Sequence, residues 1–190
     1  PDIRVLMTDG VSAQLLALLA AGELDCVIGS VDEASSTDAD LARLQVEPLY
    51  DDHVTFVTHS ATPGAAGLRR LEQVCTRPWV MGPRTSQVWM ALRQAFMAGG
   101  HPLPRGVVET TSVPAIGAVL QQAPGTIGAL RADAGRYLVR NYGLRMLRLT
   151  PAVGLSLVGI VRLRAAPPSA PLEDLLERVR AEVRHLFGGE

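Results

Sequence analysis

The stretch Leu15-Leu16-Ala17-Leu18-Leu19-Ala20-Ala21-Gly22-Glu23-Leu24-Asp25-Cys26-Val27-Ile28-Gly29 decides the fold class. Its first half places Leu15, Leu16, Leu18 and Leu19 at helical spacing, continuing from Val11. Gly22 then supplies the residue type that best ends a helix. From Leu24 to Gly29 the chain is a nearly unbroken apolar run of strand length, the pattern of a strand covered on both faces. Upstream, Ile3-Arg4-Val5-Leu6-Met7 is short and β-rich, and Thr8-Asp9-Gly10 punctuates it. Strand, helix, strand is the crossover unit of a parallel α/β sheet, and the spacing predicts one over residues 3–29.

Beyond Gly29 the pattern loosens and then repeats. Asp32, Glu33, Ser35, Ser36, Thr37, Asp38 and Asp40 read as an exposed loop, without the ligand spacing of a metal site. Leu41–Leu49 and His53–Thr58 read as extended, with Asp51, Asp52 and His53 facing water. Pro63, Gly64 and Gly67 mark a lobe boundary. A second α/β pattern follows: a short helix with Leu68, Leu71 and Val74, a strand at Pro78–Met81, and a turn at Gly82–Gln87. The turn leads into a helix that carries Val88, Leu92, Phe96 and Met97 inward and ends at Gly99-Gly100. Gly106–Thr110 is another strand. Ser112 caps a helix with Pro114 in its first turn and with Ile116, Val119 and Leu120 inward. Gly125–Leu130 is a short strand with glycine bends, and residues 143–164 alternate strand-like runs with breaks at Pro151 and Gly154. Pro167–Pro171 is a stiff linker. The closing helix aligns Leu172, Leu175, Leu176, Val179, Val183 and Leu186 in one stripe. The expected organisation is two α/β lobes, one formed by residues 1–57 with 156–190 and the other by residues 58–155 inserted into it. Chains that cross twice between lobes can hinge, and ligands bind between such lobes.

Composition narrows the function. Of 190 residues, 47% are hydrophobic, which suffices for one large core or two small ones. Only 4% are aromatic, so the core rests on Val, Leu, Ile and Ala. A formal net charge of −1 lacks the basic surface that grips a phosphate backbone, so this stretch is not expected to hold DNA by itself. Cys26 and Cys75 lie in apolar runs and read as small buried hydrophobes. No secretory signal and no run of membrane-spanning length is present in the sequence, which points to a cytoplasmic chain with no membrane partner. No nucleophile elbow, Walker loop, zinc-protease helix or dinucleotide fingerprint occurs, and His53, His59, His101 and His185 are scattered. The reading is of a non-enzymatic domain without cofactor or metal.

The sequence does supply uncharged donors at helix starts. Thr85, Ser86 and Gln87 follow Arg84 where one helix begins, and Thr110, Thr111 and Ser112 stand where a strand gives way to the next. Free N–H groups at a helix N-terminus, with hydroxyls beside them, bind carboxylates and phosphates. Each cluster alone is also what ordinary capping looks like. Two of them at the carboxyl ends of successive strands would face the same crevice.

With these residues in view, the whole chain resembles the effector-binding domain of a LysR-type transcriptional regulator. The resemblance is carried by Pro1–Val5, by Leu15–Gly29, by Glu47–Asp52, by Pro78-Trp79-Val80, and by Glu109–Ser112 with Val119-Leu120 and Gly125–Leu130. It implies a periplasmic-binding-protein-like α/β fold, with two Rossmann-like subdomains joined by a double-crossover hinge and a small effector in the cleft between them. Carried over by position, pocket residues fall on Ser86, Gln87 and their neighbours Arg84 and Thr85, on Thr110, Thr111 and Ser112, and on the strand end Gly29-Ser30-Val31. Glu109–Pro114 also resembles the branch that responds to aromatic acids or sugar-related ligands. The family pairs such domains into dimers or tetramers. Ile3–Met7, Gly106–Thr110 and the helix after Ser86 are the implied contacts. Set against the family, Pro1 falls after the winged helix-turn-helix that would contact DNA and after the first strand and helix of the first lobe, and Ala123-Pro124 replaces a glycine-rich turn. A transporter's solute-binding protein shares the fold and is the alternative. An enzyme on this fold would need an activated acid or base that the sequence does not display.

Overall fold

A computed structural model describes residues 4–10, 12–30, 42–104 and 106–187. The chain divides into two compact units, residues 1–51 with 156–190 and residues 52–155.

In the first unit, β1 (Val27–Ser30), β2 (Leu44–Tyr50) and β8 (Val158–Leu163) form a sheet ordered β1-β8-β2, antiparallel throughout. Helix α1 (Ser12–Ala20) covers one face, where Leu19, Val27, Leu44 and Val161 form a small core joined by Leu15, Leu16 and Val46. Gly22, at φ 76°, ends α1 as expected of a glycine, and the Gly22 and Glu23 N–H groups return to Leu19 and Leu18. The other face meets α5 (Ala170–Phe187) through Glu47, whose carboxylate receives Arg180 Nε at 2.6 Å and Nη2 at 2.8 Å. Tyr50 stacks on Phe187 with ring centroids 3.9 Å apart. Of the predicted stripe, Leu176 is fully buried and the others are half-buried.

Two expectations fail in this unit. Arg4–Met7 is not a strand but an irregular segment, with Leu6 and Met7 exposed. A strand needs a partner for its N–H and C=O groups, and this segment pairs with no described residue. The crossover predicted for residues 3–29 therefore does not form, and β1 pairs antiparallel with β8. The acidic loop at 32–40 lies outside the described residues. Among the described residues no cluster could hold a metal ion, and no helix is long and apolar enough to cross a membrane.

The second unit is built on a five-stranded sheet ordered β5-β4-β6-β3-β7. Its strands are β3 (Val54–Thr58), β4 (Trp79–Met81), β5 (Gly106–Glu109), β6 (Ile127–Arg131) and β7 (Arg145–Leu147). β4 runs parallel to both β5 and β6, whereas β3 is antiparallel to β6 and β7. β3 thus lies whole in this unit instead of being divided at residue 57. Alternation along the strands serves two cores. Phe56, Trp79, Met81, Ile127 and Ala129 face α2 (Gln87–Ala98) through Leu92 and Phe96. Val57, Val80 and Leu130 face the opposite side with Ile116 and Leu120 of α3 (Val113–Gln122) and Leu138 of α4 (Ala132–Tyr142). Trp79 is fully buried, meets Phe56 and Phe96 edge-on at 6.0 Å each, and donates its indole N–H to Val74 O at 2.9 Å. Helix α4 was not anticipated from the sequence. Its apolar face is interrupted by Gly135, where a Cβ would meet Thr55 Cγ2 at 2.5 Å, so glycine lets α4 lie directly on β3.

Candidate functional site

Because β5, β4 and β6 are parallel neighbours, the helices that follow them all start from one end of the sheet. β4 runs into the turn Gly82–Ser86, closed by Ser86 N–H donating to Pro83 O at 2.8 Å, and then into α2. β5 runs through Thr110, whose N–H donates to Met81 O at 3.0 Å, and then into α3. That bond fastens the two strand ends together, so the segments that lead into α2 and α3 leave the sheet from neighbouring strands. Gly82 is required in this turn, since a Cβ there would lie 2.9 Å from Ser86 Oγ.

The two helix starts are not equivalent. Ser86 caps α2, its Oγ accepting from Trp89 N–H at 3.2 Å. The Gln87 and Val88 N–H groups, at the first two helical positions, have no partner among the described residues. Ser112 caps α3, accepting from Ala115 N–H at 3.4 Å, while its own N–H donates to Thr110 Oγ1 at 3.1 Å. Pro114 has no N–H, which leaves Val113 as the one open donor of that turn. Thr85 and Thr111 are exposed hydroxyls without a partner among the described residues. Arg84 is exposed, with its guanidinium carbon 5.5 Å from the centroid of the Trp89 ring. The α2 start thus offers the richer set of donors, with two N–H groups, a hydroxyl and a cation.

The third helix start, that of α4, is already occupied from within. Asp52 Oδ1 accepts the Ala132 N–H at 3.2 Å and the His53 N–H at 2.8 Å, and Oδ2 pairs with Arg131 Nη2 at 2.5 Å. The Asp52 side chain is completely buried, which overturns the expectation that Asp51, Asp52 and His53 all face water. The cause is tertiary: a carboxylate at a helix N-terminus, beside an arginine, is better satisfied there than in solvent. Arg131 reaches across to α2, its Nη1 donating to Gln87 Oε1 at 3.1 Å. Neither Asp52 nor Arg131 was singled out in the sequence. They are far apart in the chain, and no local pattern links them.

Gly29 and Ser30 belong to the other unit, in β1 opposite Gly159 and Val158, and Ser30 O accepts from Ser12 Oγ at 3.5 Å. Val31 lies outside the described residues. The cysteines are half-buried rather than buried. Burial, and then the neighbouring Asp25, push the Cys26 thiol above its ordinary pKa, which makes it a poor nucleophile.

An α/β domain of two units, with uncharged donors gathered at parallel strand ends, is the frame of a small-molecule-binding domain of the periplasmic-binding-protein type. The chain belongs to the LysR substrate binding domain family, whose model matches residues 1–184. Solved structures agree in fold. The regulatory domain of Synechocystis PCC6803 CcmR in complex with 2-PG superposes at a TM-score of 0.69 with 17% identity, covering 92% of this chain and 80% of that one. The effector binding domain of QuiR in complex with shikimate gives 0.66 and 13%, covering 94% and 80%. HinK, a LysR family transcriptional regulator from Pseudomonas aeruginosa, gives 0.69 and 17%, covering 93% of this chain but only 59% of HinK. No curated protein sequence matches the chain.

Proposed function

We propose that this chain is the effector-sensing part of a cytoplasmic LysR-type transcriptional regulator, and that its effector is a small anionic metabolite held at the start of α2 beside Thr110–Ser112. The observation that carries this reading is the pair of N–H groups at Gln87 and Val88 that have no partner among the described residues, flanked in sequence by Thr85 and Arg84. Donors without internal acceptors favour an acceptor-rich ligand. The ligands of CcmR and QuiR support the same class, since shikimate is a carboxylic acid. The domain senses and does not convert; among the described residues no acid, base or nucleophile pair is assembled around the donors. DNA is contacted by another module of the regulator, and paired copies of this domain, with β5 and α2 as contact surfaces, carry the ligand's effect to it. A ligand that binds one arrangement better than another shifts the population toward it.

The experiment is a thermal-shift screen of this chain against aromatic and aliphatic carboxylates and sugar phosphates. A ligand at a hundredfold excess over its Kd raises stability by about 2.7 kcal/mol. A saturable shift confined to anions, with the ligand recovered unchanged, is expected. Turnover of the ligand, or shifts by neutral amides and sugars alone, would overturn the reading.

A further inference from the structure

We infer that Arg131 and Asp52 are positioning residues for effector recognition, and that they turn the Gln87 carboxamide so that its NH2 group, not its oxygen, is offered to the ligand. This rests on the reading that the first turn of α2 meets the effector. It assigns a role to two residues that the sequence did not mark as site residues.

The argument starts from donor chemistry. A guanidinium has five N–H donors and no acceptor. Whatever part of Gln87 meets Arg131 must therefore be its oxygen, and the contact observed is Nη1 to Oε1 at 3.1 Å. An amide's two ends are otherwise hard to tell apart, but an arginine neighbour settles them. With Oε1 engaged, the Gln87 Nε2 group has no partner among the described residues. Arg131 is itself held. Its Nη2 lies 2.5 Å from Asp52 Oδ2, and Asp52 Oδ1 receives the N–H groups of His53 and Ala132. Asp52 cannot swing away without leaving two backbone donors unsatisfied and taking its carboxylate from the Arg131 guanidinium, which is costly. The line from Asp52 through Arg131 to Gln87 is thus anchored at its buried end and adjustable only at its ligand end.

Two consequences follow for selectivity. Arg131's charge is matched by Asp52, so it adds no net attraction for an anion, and Arg84 is the cation left at the α2 start. The Gln87 and Val88 N–H groups, Gln87 Nε2 and Arg84 are donors only, and the Thr85 hydroxyl can donate or accept. A carboxylate or phosphate fits such a set. A neutral ligand that brings its own N–H donors meets only the Thr85 hydroxyl as an acceptor and is disfavoured. Had Gln87 been free to flip, its oxygen would have accepted such a ligand.

The test uses amide NMR on the whole chain, with sodium benzoate and sodium phosphate as probes. Arg131→Met alone would leave Asp52 buried without its cation, so the working variant is Asp52→Asn with Arg131→Met, which keeps an acceptor for the His53 and Ala132 N–H groups. Gln87→Met, which leaves the Asp52–Arg131 pair intact, is the second. The expected result is saturable movement of the Gln87 and Val88 amides in the unaltered protein. The Kd should rise about tenfold or more in both variants, the size of one lost hydrogen bond to a charged ligand. Without any probe, the Gln87 side-chain amide should be ordered in the unaltered protein and mobile in the Asp52→Asn/Arg131→Met variant. Equal order in the two would overturn the inference whatever the ligand results, as would an unchanged Kd. If neither probe moves Gln87 or Val88 in the unaltered protein, the site's placement falls and this inference falls with it.

Discussion

Replacing Arg180 with methionine should loosen α5 from its sheet by an amount that depends on pH. The guanidinium donates twice to Glu47, at 2.6 and 2.8 Å, once to Glu173 at 2.7 Å and once to Glu177 at 2.8 Å. Arg180 is only 15% exposed and Glu47 31%, whereas Glu177 is 63% exposed. Hydrogen bonds to charged groups contribute about 1.5–3 kcal/mol when sheltered, and exposed pairs about 0–1 kcal/mol. Weighting Glu47 as sheltered and Glu177 as exposed gives a loss of about 2–3 kcal/mol, with methionine retaining much of the arginine stem's packing. The sign of the pH effect follows from Glu47. Its hydrogen bonds with Arg180 hold its carboxyl below the ordinary glutamate range, while Arg180 itself is raised. A folded value below the unfolded one, about 4.3, contributes stability that is present above that pH and is lost as pH falls through the folded value. The gap between the two proteins is therefore widest near neutrality, begins to narrow as pH falls through about 4.3, and closes only below the lowered folded value. The assay is amide hydrogen exchange in Leu44–Tyr50 and Val158–Leu163. Protection should fall by about 30- to 150-fold at pH 7, since 1.4 kcal/mol is a factor of ten. Adding Glu47→Gln to Arg180→Met should cost little more, because the pair is already broken. A drop under threefold at pH 7, or one that does not shrink as pH is lowered below about 4, would refute the claim that this ion pair fastens the helix.

Two further outcomes are expected. Thr111→Val with Ser86→Ala should abolish detectable binding of whichever anion the thermal screen identifies while leaving the fold intact, and Thr111→Val alone tests the site without loss of a cap, which by itself costs about 1 kcal/mol. An unaltered affinity in the folded double variant would remove these residues from the site. Gly135→Ala places a Cβ 2.5 Å from Thr55 Cγ2, so α4 must lift from β3. The overpacking cost of about 1–3 kcal/mol outweighs a helix-propensity gain of at most about 1 kcal/mol. The Tm should drop, and a rise would show that the helix relaxes freely.

Local chemistry carried far along this chain. Ser86 and Ser112 read as helix starts because serine hydroxyls satisfy orphan N–H groups, and both do so. The stripe from Leu172 to Leu186 read as an amphipathic helix because its period admits no other element, and Gly22 ended α1 because its φ is one that other residues resist. The family, too, was open to a reader of the sequence, since the order of such segments is a one-dimensional property. What sequence could not supply were relations between distant segments. Ile3–Met7 has the composition of a strand, but a strand is made by its neighbour, and Arg4–Met7 has none among the described residues. Asp52 looks like any acidic surface residue until β3 pairs with β6 and sets it beneath the first turn of α4, against Arg131. Burial turns that carboxylate from a solvated charge into the anchor of Arg131 and, through it, of Gln87. The sequence by itself determined α1, α2, α3 and α5, the serine caps of α2 and α3, and the donors beside them. Tertiary structure alone decided which strand ends lie side by side and which charges are consumed internally, because those follow from sheet register and burial, and neither is encoded in any short window of the chain.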